Sequence, residues 1–496
     1  MKKIVSSYIS ESIMKKVTMA IFLVFLVSGC RFADYNDGNK VELTIATHDD
    51  STDESEIPAE SELPSEPEIP NESEVPAENE GNKVELTIAT HDDSMDQTEI
   101  PAENDGKVEL TVATYSDSAI LSYAARLFEE RHDGVTVAVI TYREVNNENT
   151  ASNYVQKISA EIMSGRGADI INVNGLTWSK FADRGYLNNL SAEIELSPDN
   201  YYTNVLDAYL YNGERYVVPL CFTIEEGFMF GETINDNEQP GDLTIERLAD
   251  IAEKYYEPGT TTLFDDSGFY KDMTYIAFRL FCLDMDDYID QKNKEVFIDS
   301  PEFIKLLETV EQLGEKLDGK LISNEAGADT LLENYIIYTP ILTHNGYIDY
   351  ANMSFLSNDN GAHLITAYDL LLAINANTKK KELALDFLKF LISEEIQSSP
   401  SIMFFPVNRK AAEEIAMLSY DEIKDEPYGK DISLNTVKGN IAKINEFTSR
   451  HLVCRIQDNF IRETVSLEFS MFFDGGNTAL QAAQNIQSKL YFYLNE

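Results

Sequence analysis

The stretch Tyr154–Leu190, YVQKISAEIMSGRGADIINVNGLTWSKFADRGYLNNL, constrains the fold more than any other. Val155, Ile158, Ile162 and Met163 recur at helical spacing, which predicts an amphipathic helix. Gly165 stops it, because glycine takes the left-handed conformation without a Cβ penalty. Asp169–Val173 (DIINV) is the short apolar run that a parallel strand covered on both faces requires. Asn174-Gly175 turns the chain, and Trp178, Phe181 and Ala182 open a second helix that Gly185 ends. Helix, buried strand, turn and helix is the repeating unit of a wound α/β domain. Ligands in such sheets sit beyond the carboxyl ends of the strands, where Asn174 to Trp178 falls.

The residues just before fit the same architecture. Val108–Thr114 (VELTVAT) alternates into a strand, Tyr115-Ser116-Asp117-Ser118 is a polar turn, and Ala119–Arg131 carries Leu121, Ala124, Leu127 and Phe128 at helical spacing. Val135–Ile140 is the next strand, completing a right-handed βαβ unit.

EIMSGRGADIINVNGL followed by FADRGYLNNL resembles the first-lobe signature of bacterial extracellular solute-binding proteins, the ABC-transporter receptors for sugars and oligosaccharides. Gly213–Pro219 (GERYVVP) is similar to the segment after which such chains cross to a second lobe. The resemblance then implies that Cys221-Phe222-Thr223 lies at the hinge, facing the cleft, and that Phe228–Phe230 starts the second lobe. Leu243–Lys254 and Lys271–Leu283 read as helices of that lobe. Residues 295–299 with Ser300-Pro301 resemble the family's strand, DSPEF and helix, and Ser300 before Pro301 is sound helix-start chemistry. Tyr335–Leu342 reads as a strand, Thr343–Tyr347 as a polar and aromatic loop, and Leu370–Asn375 as a strand returning to the first lobe. Lys380–Ser393, Phe405–Arg409 and Thr478–Leu494 match later family segments, so the resemblance covers almost all of 107–496.

Ahead of this body, Lys2, Lys3, Lys15 and Lys16 precede the apolar Val17–Val27, which runs into Ser28-Gly29-Cys30. A basic segment, a short apolar core and small residues make a secretory signal, too short for the roughly 20 apolar residues of a bilayer span. Val27–Cys30 resembles a bacterial lipobox, which implies lipidation of Cys30; Met1 and Met14 both remain open as starts. Residues 31–106 carry 23 Asp/Glu against 3 Lys/Arg, and their Glu/Pro/Ser composition predicts a disordered acidic linker. Within the linker GNKVELTIATHDDS occurs at 38–51 and 81–94, near-copies of Gly106–Ser118. One domain has room for one first strand, so the upstream copies read as duplications.

A formal charge of −47 argues against nucleic-acid binding, which needs clustered Lys and Arg. Cys221, Cys282 and Cys454 have no metal-site spacing and read as small buried residues, or at most one disulfide and a leftover thiol. Neither metal nor cofactor is expected. Asp284, Asp286, Asp290 and Glu295 approach calcium-loop spacing, but Ile289 stands where the loop needs glycine, so a solvated acidic loop is expected. GxSxG, P-loop, HExxH and GxGxxG patterns are missing. Glu225-Glu226 could suggest glycoside hydrolysis, yet neighbours on a regular strand point to opposite faces, so catalysis is not expected.

Carbohydrate recognition asks for flat aromatic faces against C–H groups and for amides or carboxylates to receive hydroxyls. The cleft candidates are Tyr115, Ser116, Asp117, Asn174, Trp178, Phe222, Thr223, Glu225 and Tyr347; Tyr115 leads, Glu225 comes last, and Trp178 and Phe222 are equally readable as core.

The expected protein is an α/β, two-lobed periplasmic-binding-protein-like fold with a hinge and interlobe cleft, preceded by a disordered acidic stalk. Its expected parts are a lipoprotein signal (1–30), the linker (31–106) and the solute-binding domain (107–496). Lobe one would take about 107–220 and 368–410, lobe two about 223–365, and C-terminal helices 411–496. The resemblance implies a receptor, lipid-anchored on the extracellular membrane face, that captures a mono- or oligosaccharide and delivers it to an ABC permease. A surface glycan-active enzyme, or a sensing or adhesive lipoprotein on the same fold, are the alternatives.

Overall fold

The computed structural model describes residues 107–142, 151–235, 237–264, 273–317, 329–339, 342–343, 346–347, 349–367, 370–399, 401–402, 404–425, 432–454, 456 and 458–495. The signal, Cys30, the acidic linker and the repeats at 38–51 and 81–94 lie outside them, and Tyr347 is described by its backbone alone.

The first lobe is built on β1 (Val108–Thr114), β2 (Val135–Thr141), β3 (Ile170–Asn172) and β4 (Val217–Pro219). With the returning strand Leu371–Ile374 they form a five-stranded sheet in the order β2-β1-β3-return-β4. β1 runs parallel to β2 from Val108↔Val135 to Thr114↔Thr141, and parallel to β3 on its other edge. A central strand must be apolar on both faces, and Leu110, Val112 and Ala113 are fully buried. The helix Ala119–Glu129 covers it with Ile120, Leu121, Ala124 and Phe128, and starts where Ser118 Oγ accepts the Leu121 N–H. Gly165, at φ +73°, follows the helix Ala151–Met163 as the sequence predicts.

The larger sheet is organised around β5 (Cys221–Phe230), separated from β4 by Leu220 alone. The strand Asp329–Ile337 pairs antiparallel along one edge of β5, and Met353–Leu356 and Ala362–Ala367 follow each other along the other. The first of these starts and ends earlier than the expected Tyr335–Leu342, because Leu331 and Leu332 already fill the core. The helix expected over Leu243–Lys254 spans Ile245–Tyr255, capped by the Thr244 hydroxyl. Asn459–Phe473 and Ala479–Asn495 close the second core, where Phe469 meets Phe281 and Phe303 at ring-centroid distances of 6.2 and 5.9 Å. Cys221 and Cys282 are buried and Cys454 is half-buried, and no disulfide joins them to one another. No helix among the described residues is long and apolar enough to cross a membrane.

One buried titratable group gives the fold a pH signature. His363, 1% exposed, donates from Nδ1 to the Leu356 carbonyl at 3.0 Å, and its Nε2 accepts from Arg450 Nη1 at 3.1 Å. This fixes a neutral tautomer, and burial, with Arg450 and His451 adding to it, pushes the imidazole below its ordinary 6.5 despite Asp242. The unfolded chain therefore takes up a proton first, so this group's contribution is complete above about pH 6.5 and is lost on acidification through the folded pKa. Urea unfolding of His363→Leu between pH 7.5 and 5 should show a shallower acid loss than wild type; parallel profiles would contradict the assignment.

Candidate functional site

The carboxyl edge of the first sheet gathers most of the polar and aromatic candidates near the strand ends. Register fixes it: Thr114 faces Thr141, so the next residues, Tyr115 and Tyr142, emerge side by side, with the Tyr142 N–H donating to the Thr114 carbonyl at 3.1 Å. Tyr154, from the helix Ala151–Met163, meets both rings edge-on, at 5.9 Å from Tyr115 and 5.7 Å from Tyr142. Its hydroxyl donates to the Asn172 carbonyl at 2.5 Å. The Tyr142 hydroxyl donates to Glu161 at 2.9 Å, and Lys157 Nζ lies 4.6 Å from the centre of the Tyr142 ring. Burial pushes both phenols well above the ordinary 10, so Tyr142 and Tyr154 stay neutral. Tyr115 and Tyr142 are half-buried, which leaves ring area for a ligand.

Polar groups fringe these rings. Asp117 accepts from the Thr141 hydroxyl at 3.0 Å. Asn172 Oδ1 accepts the N–H groups of Asn174 and Leu371, each at 3.1 Å, and so shapes the turn that leaves Asn174 half-buried at the end of β3. Of the sequence-derived candidates, Tyr115, Ser116, Asp117 and Asn174 thus share one edge. Trp178 lies inside it, 8% exposed and edge-on to Tyr211. Phe222 does not reach it: fully buried, it stacks on Phe405 at 5.1 Å, because Phe405-Pro406 pairs directly over the start of β5. Thr223 is buried opposite Thr366, and neither hydroxyl has a hydrogen-bond partner among the described residues. Tyr142, Tyr154, Lys157 and Glu161 are the residues sequence reading missed. The available signal was the shared Thr-Tyr at the ends of both strands, VATY115 and VITY142.

Glu225 and Glu226 overturn the expectation that they point to opposite faces. Ile337 pairs with Ile224 and Tyr335 with Gly227, so two residues of β5 face Ile336 alone. This is a β-bulge, which locally cancels the alternation. Gly227 ends it because a Cβ there would lie 2.9 Å from Met353 Sδ and 3.2 Å from the Tyr335 carbonyl oxygen. Both carboxylates reach the same guanidinium: Arg279 Nη2 lies 2.7 Å from Glu225 Oε2, and Nε lies 2.7 Å from Glu226 Oε1. The second approach is a charge contact rather than an aligned hydrogen bond. Arg279 also donates to the Tyr275 hydroxyl and stands 4.5 Å over that ring. Burial opposes the charge, but Tyr275, Glu226 and Glu225 together hold the guanidinium well above its ordinary pKa. Two carboxylates held by one arginine are a structural ion cluster, not groups flanking a scissile bond.

The family model for bacterial extracellular solute-binding proteins matches residues 113–398, more than half of the chain. The chain belongs to this family. Three solved structures share the fold of this solute-binding protein. An ABC substrate-binding protein from Listeria monocytogenes, in complex with cycloalternan, matches with a TM-score of 0.51 and 16% identity over 78% of this chain and 99% of its own. A cyclic α-maltosyl-1,6-maltose binding protein from Arthrobacter globiformis gives 0.53 and 15%, over 78% and 99%. A family 1 extracellular solute-binding protein from Alicyclobacillus acidocaldarius gives 0.52 and 13%, over 79% and 100%. No curated protein sequence matches the solute-binding protein described here.

Proposed function

We propose that this solute-binding protein captures an extracellular mono- or oligosaccharide between its two lobes and hands it to an ABC permease, while a lipid on Cys30 holds it to the outer face of the cell membrane. The observation that carries the reading is the pair of half-buried rings, Tyr115 and Tyr142, at the carboxyl edge of the first sheet. Rings of this kind offer faces to sugar C–H groups, and Asp117 and Asn174 beside them receive hydroxyls. The position is where open α/β sheets bind ligands. Lobes joined through Leu220 can close around a solute by hinge motion, exchanging its hydration for protein contacts. The relatives of known structure support the fold, and the tyrosine edge supports the reading of the solute as a sugar. The lipid rests on Val27–Cys30, and the permease on family membership.

Thermal unfolding against mono- and oligosaccharides, amino acids and peptides tests the reading. A solute bound only by the folded form stabilises it by about 2.7 kcal/mol at a hundredfold excess over Kd. A shift confined to one sugar class is the expected result. Silence from every sugar, with a shift from an amino acid or peptide, would reassign the cleft.

A further inference from the structure

The amino edge of the first sheet, at the other end of the strands from the tyrosines, carries a groove of about 470 Å3. Val108 and Val135, the first residues of β1 and β2, pair there in parallel register. The returning strand Leu371–Ile374 runs antiparallel to β3, so the chain that follows it emerges at the same edge and enters the helix Lys381–Leu391. Leu383, from the first turn of that helix, completes an apolar floor in which Val108 is 46% exposed. Lys379, Lys380 and Lys381 rim it, with Glu382 the one acid of the lining. This is the only run of three basic residues in a chain of net charge −47. Lys380 Nζ lies 3.2 Å from Asp169 and Lys381 Nζ 2.9 Å from Glu193, whereas Lys379 is exposed and has no carboxylate partner among the described residues.

A segment that complements this groove lies just upstream. Residues 99–103 read EIPAE, an Ile-Pro pair between glutamates. The same pattern, Glu-aliphatic-Pro-x-Glu, recurs at 56–60, 62–66, 68–72 and 74–78, so it is a repeated element and not a chance pentapeptide. Its apolar centre matches the floor and its acidic flanks match the basic rim. Proline presets its own φ, so less chain entropy is lost on docking. Chain connection selects the copy at 99–103: only residues 104–107 (NDGK) separate it from Val108, which is itself part of the floor. Asn, Asp and Gly are turn residues that let a chain double back. The helix start also favours a carboxylate, because Lys380 at the N-cap makes no side-chain cap bond.

We propose that residues 99–103 of this chain dock in the groove, with Ile100 and Pro101 on Val108, Val135 and Leu383 and with Glu99 or Glu103 on Lys379. Docking holds this acidic stretch at the far end of the strands from Tyr115 and Tyr142, and it does not depend on the sugar assignment. Zero-length carbodiimide cross-linking of the full chain, mapped by mass spectrometry on mixed isotope-labelled and unlabelled protein, tests it. The expected product joins Glu99 or Glu103 to Lys379 within one chain. Nearness through the tether alone would give the same link, so Ile100→Asp is the deciding variant. It keeps the tether and the negative charge, and loss of the apolar anchor should cut the link about fivefold or more. Lys379→Glu should abolish the link, and adding Glu99→Lys and Glu103→Lys should restore it with reversed polarity; Lys379 is exposed, so its exchange leaves the packing intact. No link to Lys379, a link unchanged in Ile100→Asp, or links from these glutamates spread evenly over Lys254, Lys305 and Lys489 would overturn the proposal. A product joining two chains at Lys379 would overturn it as well, by making the occupant a second copy.

Discussion

Arg279→Leu is expected to destabilise the protein by about 3–5 kcal/mol, the range for removing one partner of a buried ion pair. The guanidinium is 3% exposed and holds two carboxylates that the β5 bulge directs at it. Without it, Glu225 and Glu226 are like charges in a low-dielectric interior and favour their protonated forms. Their folded pKa values then exceed the unfolded ones, so the variant recovers part of its deficit as pH falls toward about 5. A triple variant, Arg279→Leu with Glu225→Gln and Glu226→Gln, should be more stable than the single one, because no unpaired charge is left inside. Urea denaturation of the three proteins at pH 7.5 and 5.5 checks this. A single variant within about 1 kcal/mol of wild type would mean that groups other than Arg279 hold the carboxylates.

The bulge also marks where local reading of this chain stops. β1 and β2 are legible because each carries its periodicity and boundary within a dozen residues, and Ser118 and Ser300 announce helices through chemistry confined to one turn. The facing of Glu225 and Glu226 depends on a register with Tyr335 and Ile337, more than a hundred residues away, and no local pattern encodes it. Phe222 shows the same limit. Its backbone lies near the start of β5, yet its ring stacks on Phe405, so a residue placed by chain position is buried by a partner that position does not reveal.

The tyrosine edge was half legible for a related reason. Tyr115 follows from one strand ending in one turn, but Tyr142 becomes its neighbour only once β1 and β2 are set parallel with Thr114 against Thr141. Tyr154 then becomes visible as the wedge that fixes both rings, tied to β3 through the Asn172 carbonyl. Carbohydrate binding does not require strongly shifted acids. It requires rigid ring faces with polar groups at their margins, and parallel register supplies these where two Thr-Tyr ends meet.

Tyr115→Ala and Tyr142→Ala should each weaken binding of the preferred sugar about tenfold or more, since aromatic anchors commonly cost about 2 kcal/mol on truncation. The two effects should not add, because Tyr154 contacts both rings and loses one support with either change. Tyr115→Phe keeps the ring face and should bind within a few-fold of wild type, which separates stacking from hydrogen bonding by the phenol. Tyr142→Phe is the more informative control. It frees Glu161 from its 2.9 Å bond while keeping the ring under Lys157, so a large loss there would assign recognition to the Tyr142–Glu161 pair rather than to the ring face. Titration calorimetry of the four variants with the sugar that shifts unfolding decides between these outcomes. Wild-type affinity in both alanine variants would remove the carboxyl edge of the first sheet from the binding site, whatever solute the protein carries.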